Sequence, residues 1–293
     1  MITEVTKQPD LQRLEWSTSK QQRNEDPSPR AILRSTIAHS GLIKSFAQRE
    51  VVGRYRGSAL GILWSFFTPA LMLMVYTFFF GVIFRARWPK MGESTGEFAL
   101  ILFAGLLMFN LFSETVNKAP TIIVSNTNLV KRVIFPLEIF AQVNVLSALF
   151  HFFISLLVWL FFYLILIGLP PITIVWLPIA ILPLCFLLLG LTWLLSSLGV
   201  YLRDVSQVVT PVTAAMMFLS PIFYPLEMLS GPMRRIVELS PLTFAVETAR
   251  AILMWGEPIA WLAWSIHLTM AMMITALGFA WFQKTRKGFA DVL

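Results

Sequence analysis

Charge is scarce in this chain. Only 13% of its 293 residues are Asp, Glu, Lys or Arg, while 57% are hydrophobic. Soluble domains carry about 25% charged and about 45–50% apolar residues. A soluble core of this size cannot hide the excess, so lipid is the natural solvent. Cysteine is nearly absent. Cys185 stands alone in an apolar block, which excludes an intrachain disulfide and reads as a small packing residue. Histidine occurs three times, at His39, His151 and His267, in separate segments. There is no His-Glu-x-x-His and no paired Cys-x-x-Cys pattern, so the sequence offers no metal site. A Gly-x-x-x-x-Gly-Lys-[Ser/Thr] loop is missing too, which excludes P-loop binding of ATP by this chain. Residues 1–29 are polar, mixed in charge and without a short apolar core. They read as a flexible cytoplasmic leader and not as a secretory signal peptide. The net charge of +7 does not call for nucleic acid. Basic cytoplasmic loops are the default of membrane proteins.

What the chain does have is long apolar blocks. They predict an all-α integral membrane protein, one transmembrane domain over 30–293, with six spans at about 60–84, 98–117, 138–168, 172–200, 206–225 and 259–282. Helices are expected because the blocks lack the alternation of a barrel. Leu169, Pro170 and Pro171 join the third and fourth spans so tightly that they form an antiparallel hairpin. Lysine and arginine placement sets the orientation. With both termini cytoplasmic, Arg30, Arg34, Lys44, Arg49, Arg54, Arg56, Lys118, Lys131, Arg132, Arg203, Lys284, Arg286 and Lys287 fall inside. Arg85, Arg87, Lys90, Arg234, Arg235 and Arg250 fall outside, and the bias favours this arrangement.

Three segments between or before the spans carry further information. Residues 30–58 mix Ile32, Leu33, Ile37, Ile43, Phe46 and Val51 with basic residues. They predict an amphipathic helix in the cytoplasmic interface; a cytoplasmic helix packed on a partner is the competing reading. Residues 118–138 form either an ordinary connecting loop or a short docking helix, with Pro136 at a helix boundary. Residues 226–258 are too charged to span and too apolar to float free. Two short re-entrant helices satisfy both constraints, and Ser240-Pro241 has the form of a helix start.

Polar groups inside spans are functional candidates. Here they are His151, His267 and Glu114, although a neutral histidine bonded to a neighbouring helix is the commoner case. Aromatics are abundant, with 25 Phe, 10 Trp and 5 Tyr. Trp88, Trp255 and Trp281 fit an interfacial belt, and an aromatic-lined pore would suit a glycan. In the first span Trp64, Phe67, Leu71, Met74 and Phe78 share one helical face. In the fifth, Thr210, Thr213, Met217, Pro221 and Tyr224 do the same. Either stripe is equally a packing face inside one protomer.

The stretch Arg49 to Trp64, REVVGRYRGSALGILW, resembles the entry to the first span in permeases of ATP-driven polysaccharide exporters, which export O-antigen, capsular polysaccharide or teichoic acid. Asn128 to Glu138, NLVKRVIFPLE, resembles the first cytoplasmic coupling helix of that family, and Leu202 to Gln207, LRDVSQ, its second. Ser220 to Pro225, SPIFYP, is similar to the end of the fifth span before two external re-entrant helices. Ser240-Pro241-Leu242 stands where many relatives have Asn-Pro-Leu. The resemblance covers residues 30–293 and implies a transport permease, not an enzyme. It implies a homodimer in a bacterial inner membrane with two copies of a separate ATPase, which holds the ATP and Mg²⁺; this chain needs no cofactor of its own. The implied substrate is a lipid-linked glycan.

The resemblance also implies site residues. Asn128, Lys131, Arg132, Phe135, Pro136, Glu138, Arg203, Asp204 and Gln207 would couple to the ATPase. Arg49, Arg54, Tyr55 and Arg56 would receive the lipid diphosphate, since arginine binds phosphate oxygens in pairs; plain positive-inside anchoring explains the same residues. The stripe residues Trp64, Phe67, Leu71, Met74, Phe78, Thr210, Thr213, Met217 and Tyr224 would line the channel. A related permease for a drug or lipid is the first alternative function, and a membrane acyltransferase the second. The latter needs a cluster of catalytic polar residues near one leaflet, which the sequence does not offer.

Overall fold

A computed structural model describes residues 28–83, 88, 95–131 and 135–293. The leader before Ser28, Arg132, and the outside charges Arg85, Arg87 and Lys90 lie outside the described residues. Within them the secondary structure is helical, without strands. The principal helices are α1 (Pro29–Ala38), α2 (Ser40–Tyr55), α3 (Trp64–Tyr76), α4 (Thr95–Lys118), α5 (Ile139–Leu166), α6 (Leu182–Tyr201), α7 (Val205–Leu219), α8 (Gly231–Glu238), α9 (Pro241–Leu253) and α10 (Trp261–Thr285).

Five stretches are long and apolar enough to cross a bilayer: Gly61–Gly81, Gly96–Thr121, Ile139–Leu166, Ile172–Tyr201 and Trp261–Val292. They coincide with five of the expected spans. The remaining expected span, 206–225, holds only the 15-residue α7. At 1.5 Å per residue α7 is about 22 Å long, shorter than a hydrocarbon core of about 30 Å.

The helices run between two ends. At the basal end sit α1, α2, the segment 118–131, the turn after α6 and the C-terminal tail. Tyr201 Oη donates to the Thr285 carbonyl there at 2.7 Å, and Ser35 Oγ donates to Glu138 at 3.0 Å. At the distal end sit Trp88, the turn between α5 and the next stretch, and residues 220–260. Thr173 Oγ1 donates to the Ile252 carbonyl there at 2.7 Å.

Helices in lipid gain nothing by hiding apolar surface from one another. Their association rests on close packing and on hydrogen bonds between helices. Both devices are present. Gly190 of α6 lies against Gly278 of α10, and a Cβ at Gly190 would come within 2.7 Å of the Ile274 carbonyl carbon. The two backbones touch because neither residue has a side chain. Thr275 Oγ1 bridges the same pair of helices, donating to Phe186 O at 2.6 Å. Asn144 Nδ2, buried in α5, reaches Thr115 O of α4 at 2.9 Å. The indoles of Trp159 and Trp193 are fully enclosed, and each N–H finds a carbonyl at 3.0 Å, on Leu100 and Glu138 respectively. Buried indoles require such a partner. α4 is the most enclosed of the five apolar stretches, so the others pack around it.

Residues 30–58 differ from the single amphipathic helix expected. His39 interrupts them, giving α1 and α2. Ile43, Ala47 and Val51 recur every fourth residue and are buried; Ile43 and Ala47 join one apolar cluster with Ile139 and Val143 of α5. The apolar face of α2 is therefore taken up by protein. On α1, Leu33 and Ile37 stay exposed.

Residues 226–258 do form two short helices, α8 and α9. α9 buries Leu242, Ala245, Val246, Ala249, Ile252 and Leu253. Arg250, one of the charges expected on the outer side, is fully buried. Its Nε donates to Ile101 O at 3.2 Å and one terminal nitrogen to Ile222 O at 2.7 Å. The other terminal nitrogen serves Pro221 O and Glu247. α7 has ended at Leu219, so the Pro221 and Ile222 carbonyls lack helical partners, and a guanidinium with five donors meets that need.

Candidate functional site

Among the described residues, two clefts open at the basal end. The first, ≈ 510 Å³, opens between α3, α4 and α5. At its mouth the last turn of α2 delivers Arg54, whose guanidinium lies 2.9 Å from Glu114 Oε1 of α4. His151 Nδ1 of α5 lies 2.8 Å from the same oxygen, and an Arg54 nitrogen is 3.0 Å from that Nδ1. Tyr55 meets His151 edge to face, with ring centroids 5.9 Å apart. Burial raises the pKa of the Tyr55 phenol and the Arg54 charge opposes this, the first effect being larger. Above this charged mouth the walls turn apolar, with Phe103, Leu107, Phe152, Met72 and Met217. Helix spacing brings Glu114 and His151 together: each sits on the side of its span that faces the other. The sequence places Arg54 at the expected entry, but offers Glu114 and His151 only as separate ionisable residues. Arg56 is exposed and Arg49 is exposed on the rim of the second cleft.

That second cleft, ≈ 530 Å³, lies between α2 and the segment 118–131. Lys118 pairs with Glu50 across it. Asn128 lines it and is exposed, within a one-turn helix, Thr127–Val130. Lys131 follows, exposed. The rest of this expected coupling set is placed differently. Phe135 packs at 5.6 Å from Phe46 and 5.4 Å from Phe140, ring centre to ring centre, so it fastens α2 to α5. Pro136 is half-buried beside it. Glu138 is turned inward, with only 9% of its surface exposed. It accepts from Ser35 of α1 and from Arg286 of the tail at 2.9 Å. A carboxylate so held braces α1 against the tail. In the second expected coupling turn, Arg203, Asp204 and Gln207 are all exposed at the start of α7.

The two stripes part company. Trp64, Phe67, Leu71 and Met74, with Phe78 just beyond the end of α3, are exposed, between 42% and 67%, so the α3 stripe is turned away from the other described residues. The α7 stripe does not match it. Thr213 is buried and returns its hydroxyl to Val209 O, Pro221 is buried, Met217 faces the first cleft, and Thr210 is exposed. Tyr224 is half-buried, its hydroxyl on Leu219 O at 2.9 Å. The outward face of α7 is Val208, Val212, Phe218 and Leu219 instead. Spacing identifies residues that share a face but not the direction the face points.

His267 stacks on Phe244 at 4.0 Å and bonds its own helix at Ala263 O. Cys185 is half-buried among apolar neighbours. No group of three His, Cys, Asp or Glu side chains able to hold a metal occurs among the described residues.

Comparison with known proteins agrees with this architecture. The family profile described as ABC-2 type transporter matches residues 41–254. A protein of Myxococcus xanthus named O-antigen export system permease protein RfbA is 30% identical over 223 residues, which is 75% of this chain and 83% of that protein. A protein of the same name from Klebsiella pneumoniae is 24% identical over 253 residues, 86% of this chain and 95% of the other. These relatives are transport permeases. With its apolar helices and the profile match over most of its length, the chain belongs to the ABC-2 type transporter family.

Proposed function

We propose that this chain is the channel-forming subunit of an ATP-driven exporter that moves a lipid-linked, O-antigen-like polysaccharide across a bacterial inner membrane. The observation that carries the reading is the 30% identity to an O-antigen export permease over 83% of that protein's length. The chain works as a homodimer with two copies of a separate ATPase, which binds ATP and Mg²⁺. The basal end is cytoplasmic and holds both termini. α7 is the fifth of six crossings, completed by the non-helical residues 220–225. Irregular backbone at membrane depth is tolerated where protein surrounds it, and Ser220, Pro221 and Ile222 are buried. α8 and α9 are re-entrant from the outer face.

In this reading the exposed turns around Asn128, Lys131 and Arg203–Gln207 receive the ATPase. A short helix seated in a partner's cleft passes on a rigid-body motion. Phe135 and Glu138 stand behind that surface and stiffen it. Arg54, with Arg49 and Arg56 nearby, receives the diphosphate of the lipid carrier. Glu114 and His151 aim the Arg54 fork. The exposed aromatic and methionine stripe of α3 faces the dimer axis and offers many weak, interchangeable contacts. A pore that must release its cargo uses such shallow sites.

Deletion of the gene tests the function. Lipid-linked glycan is expected to accumulate on the cytoplasmic face while surface polysaccharide disappears. Normal surface polysaccharide in the deletion strain would overturn the proposal, and loss of a drug efflux or lipid phenotype instead would assign a different cargo.

A further inference from the structure

A third cleft, ≈ 320 Å³, lies at the distal end and shares no residue with the basal clefts or the α3 stripe. One wall is a single face of α9, carrying Phe244, Glu247, Thr248 and Ala251. The other face of α9 is packed into the core. The opposite wall is the turn after α9 together with Ala260 and Ala263 at the start of α10. That turn is held in place. Gly256 takes φ 66°, a conformation that disfavours any side chain, and Glu257 N–H donates to Ala251 O at 2.9 Å. The result is that Trp255 and Glu257 both line the cleft. Trp88 closes it at one side, its ring lying 4.3 Å from the Arg250 guanidinium. Glu227, exposed, stands at the rim. The volume is at the low end of the range for small-ligand sites, about 300–1,000 Å³, with room for about one or two sugar rings.

The chemistry of this lining is specific. A sugar ring presents a face of C–H bonds and an edge of hydroxyls. The face packs against aromatic rings, here Trp255 first, beside Phe244, one face of which His267 covers, and the nearly buried Trp88. The hydroxyls donate to carboxylates, here Glu227 and Glu257, with Glu247 already held by Arg250. The lining brings three carboxylates together, Glu227, Glu247 and Glu257, and their negative charge disfavours a phosphate or other anion. The small side chains of Ala251, Ala260 and Ala263 leave the space between the walls.

We infer that this cleft is a docking subsite for an uncharged saccharide, of the kind a glycan presents as it leaves the outer end of the channel. The inference rests on the glycan-export reading and adds to it a site of defined chemistry on the far side of the membrane. A weak grip there holds the emerging chain between strokes of the ATPase.

The test uses the full chain in nanodiscs and, as probe, the strain's own surface polysaccharide freed of lipid by mild acid. Binding is followed by thermophoresis, and melting temperature is recorded for every variant. Saturable binding is expected for the wild type. Trp255→Ala and Glu257→Gln are each expected to weaken it about tenfold, the equivalent of one lost stacking or charge-assisted contact. Ala263→Trp, which fills the cleft and removes no contact, is expected to abolish it with melting unchanged. Unaltered binding by the Ala263→Trp variant, or no binding by the wild type, would overturn the subsite. So would calcium chloride alone binding with the same dependence on Glu257, since the cleft would then be a cation site. The deletion phenotype separates the two claims. If the deletion strain traps glycan inside but the cleft variants bind normally, only the subsite falls. If the deletion strain exports normally, the export reading itself falls.

Discussion

Arg250 donates from its Nε to the carbonyl of Ile101, 149 residues earlier in the chain, at 3.2 Å. The same guanidinium holds the Pro221 and Ile222 carbonyls just past the end of α7. One side chain thus ties α9 to α4 and to the end of α7. Breaking a buried, hydrogen-bonded ion pair by removing one partner costs about 3–5 kcal/mol. Arg250→Leu is therefore expected to lower thermal stability sharply, with reduced yield of folded protein from membranes. Arg250→Lys keeps the charge but reaches fewer carbonyls, and should fall between. Melting curves in detergent would check both. A leucine variant as stable as the wild type would remove Arg250 from this role.

The α6–α10 crossing makes a second prediction. A Cβ on Gly190 would meet the backbone of α10 at 2.7 Å, and that backbone has no flexible end to move aside. Gly190→Val is expected to force the helices apart and to destabilise the chain by about 1–3 kcal/mol, the usual range for overpacking. Gly41, by contrast, has open space around its missing Cβ. Gly41→Ala serves as the matched control and should melt as the wild type does.

Arg54 and its neighbours provide a third. Lysine keeps a positive charge but not the two-pronged geometry of arginine. If Arg54 recognises a diphosphate, Arg54→Lys should reduce export several-fold while insertion and dimerisation stay normal. Glu114→Gln should do the same to a lesser degree, because it frees Arg54 from the contact at 2.9 Å that aims it. Full export by both variants would leave Arg54 as an anchor in the membrane interface. Surface polysaccharide quantified by gel is the readout.

The exposed turn at Arg203, Asp204 and Gln207 is the part of the proposed docking surface with least structural duty. Arg203→Ala with Asp204→Ala is expected to weaken co-purification of the ATPase without loss of folded permease. Glu138→Gln serves as the contrast. It should reduce melting temperature, since Glu138 joins α1 to the tail. A double variant that retains the ATPase fully would move the contact elsewhere.

Cysteine labelling tests the stripes. In a background lacking Cys185, Trp64→Cys and Phe67→Cys are expected to react with a water-soluble thiol reagent, more so when the ATPase is trapped with nucleotide. Thr213→Cys, at a position buried within the chain, should stay protected. Protection at all three positions would mean that the α3 stripe is covered by lipid or protein rather than by the passage.

The amino-acid sequence by itself determined the class, five of the expected spans and the order of the segments. Hydropathy averages over some 20 residues, so it survives ignorance of neighbours. That is why the expected spans reappear as the helical stretches Gly61–Gly81, Gly96–Thr121, Ile139–Leu166, Ile172–Tyr201 and Trp261–Val292. The short α8–α9 pair was legible as well, because charge forbids a span and apolar content forbids a free loop. Tertiary structure decided what each polar group does. Arg250 and Glu138 are written as ordinary charged residues, and nothing local distinguishes them from Arg203 or Asp204. Only the packing of distant helices makes the first two buried ties and leaves the others exposed. The same holds for the stripes. A period of 3.6 fixes which residues of α3 and α7 share a face. Which face meets the rest of the chain depends on the neighbouring helices, and these turned Thr213 inward and left Trp64 outside.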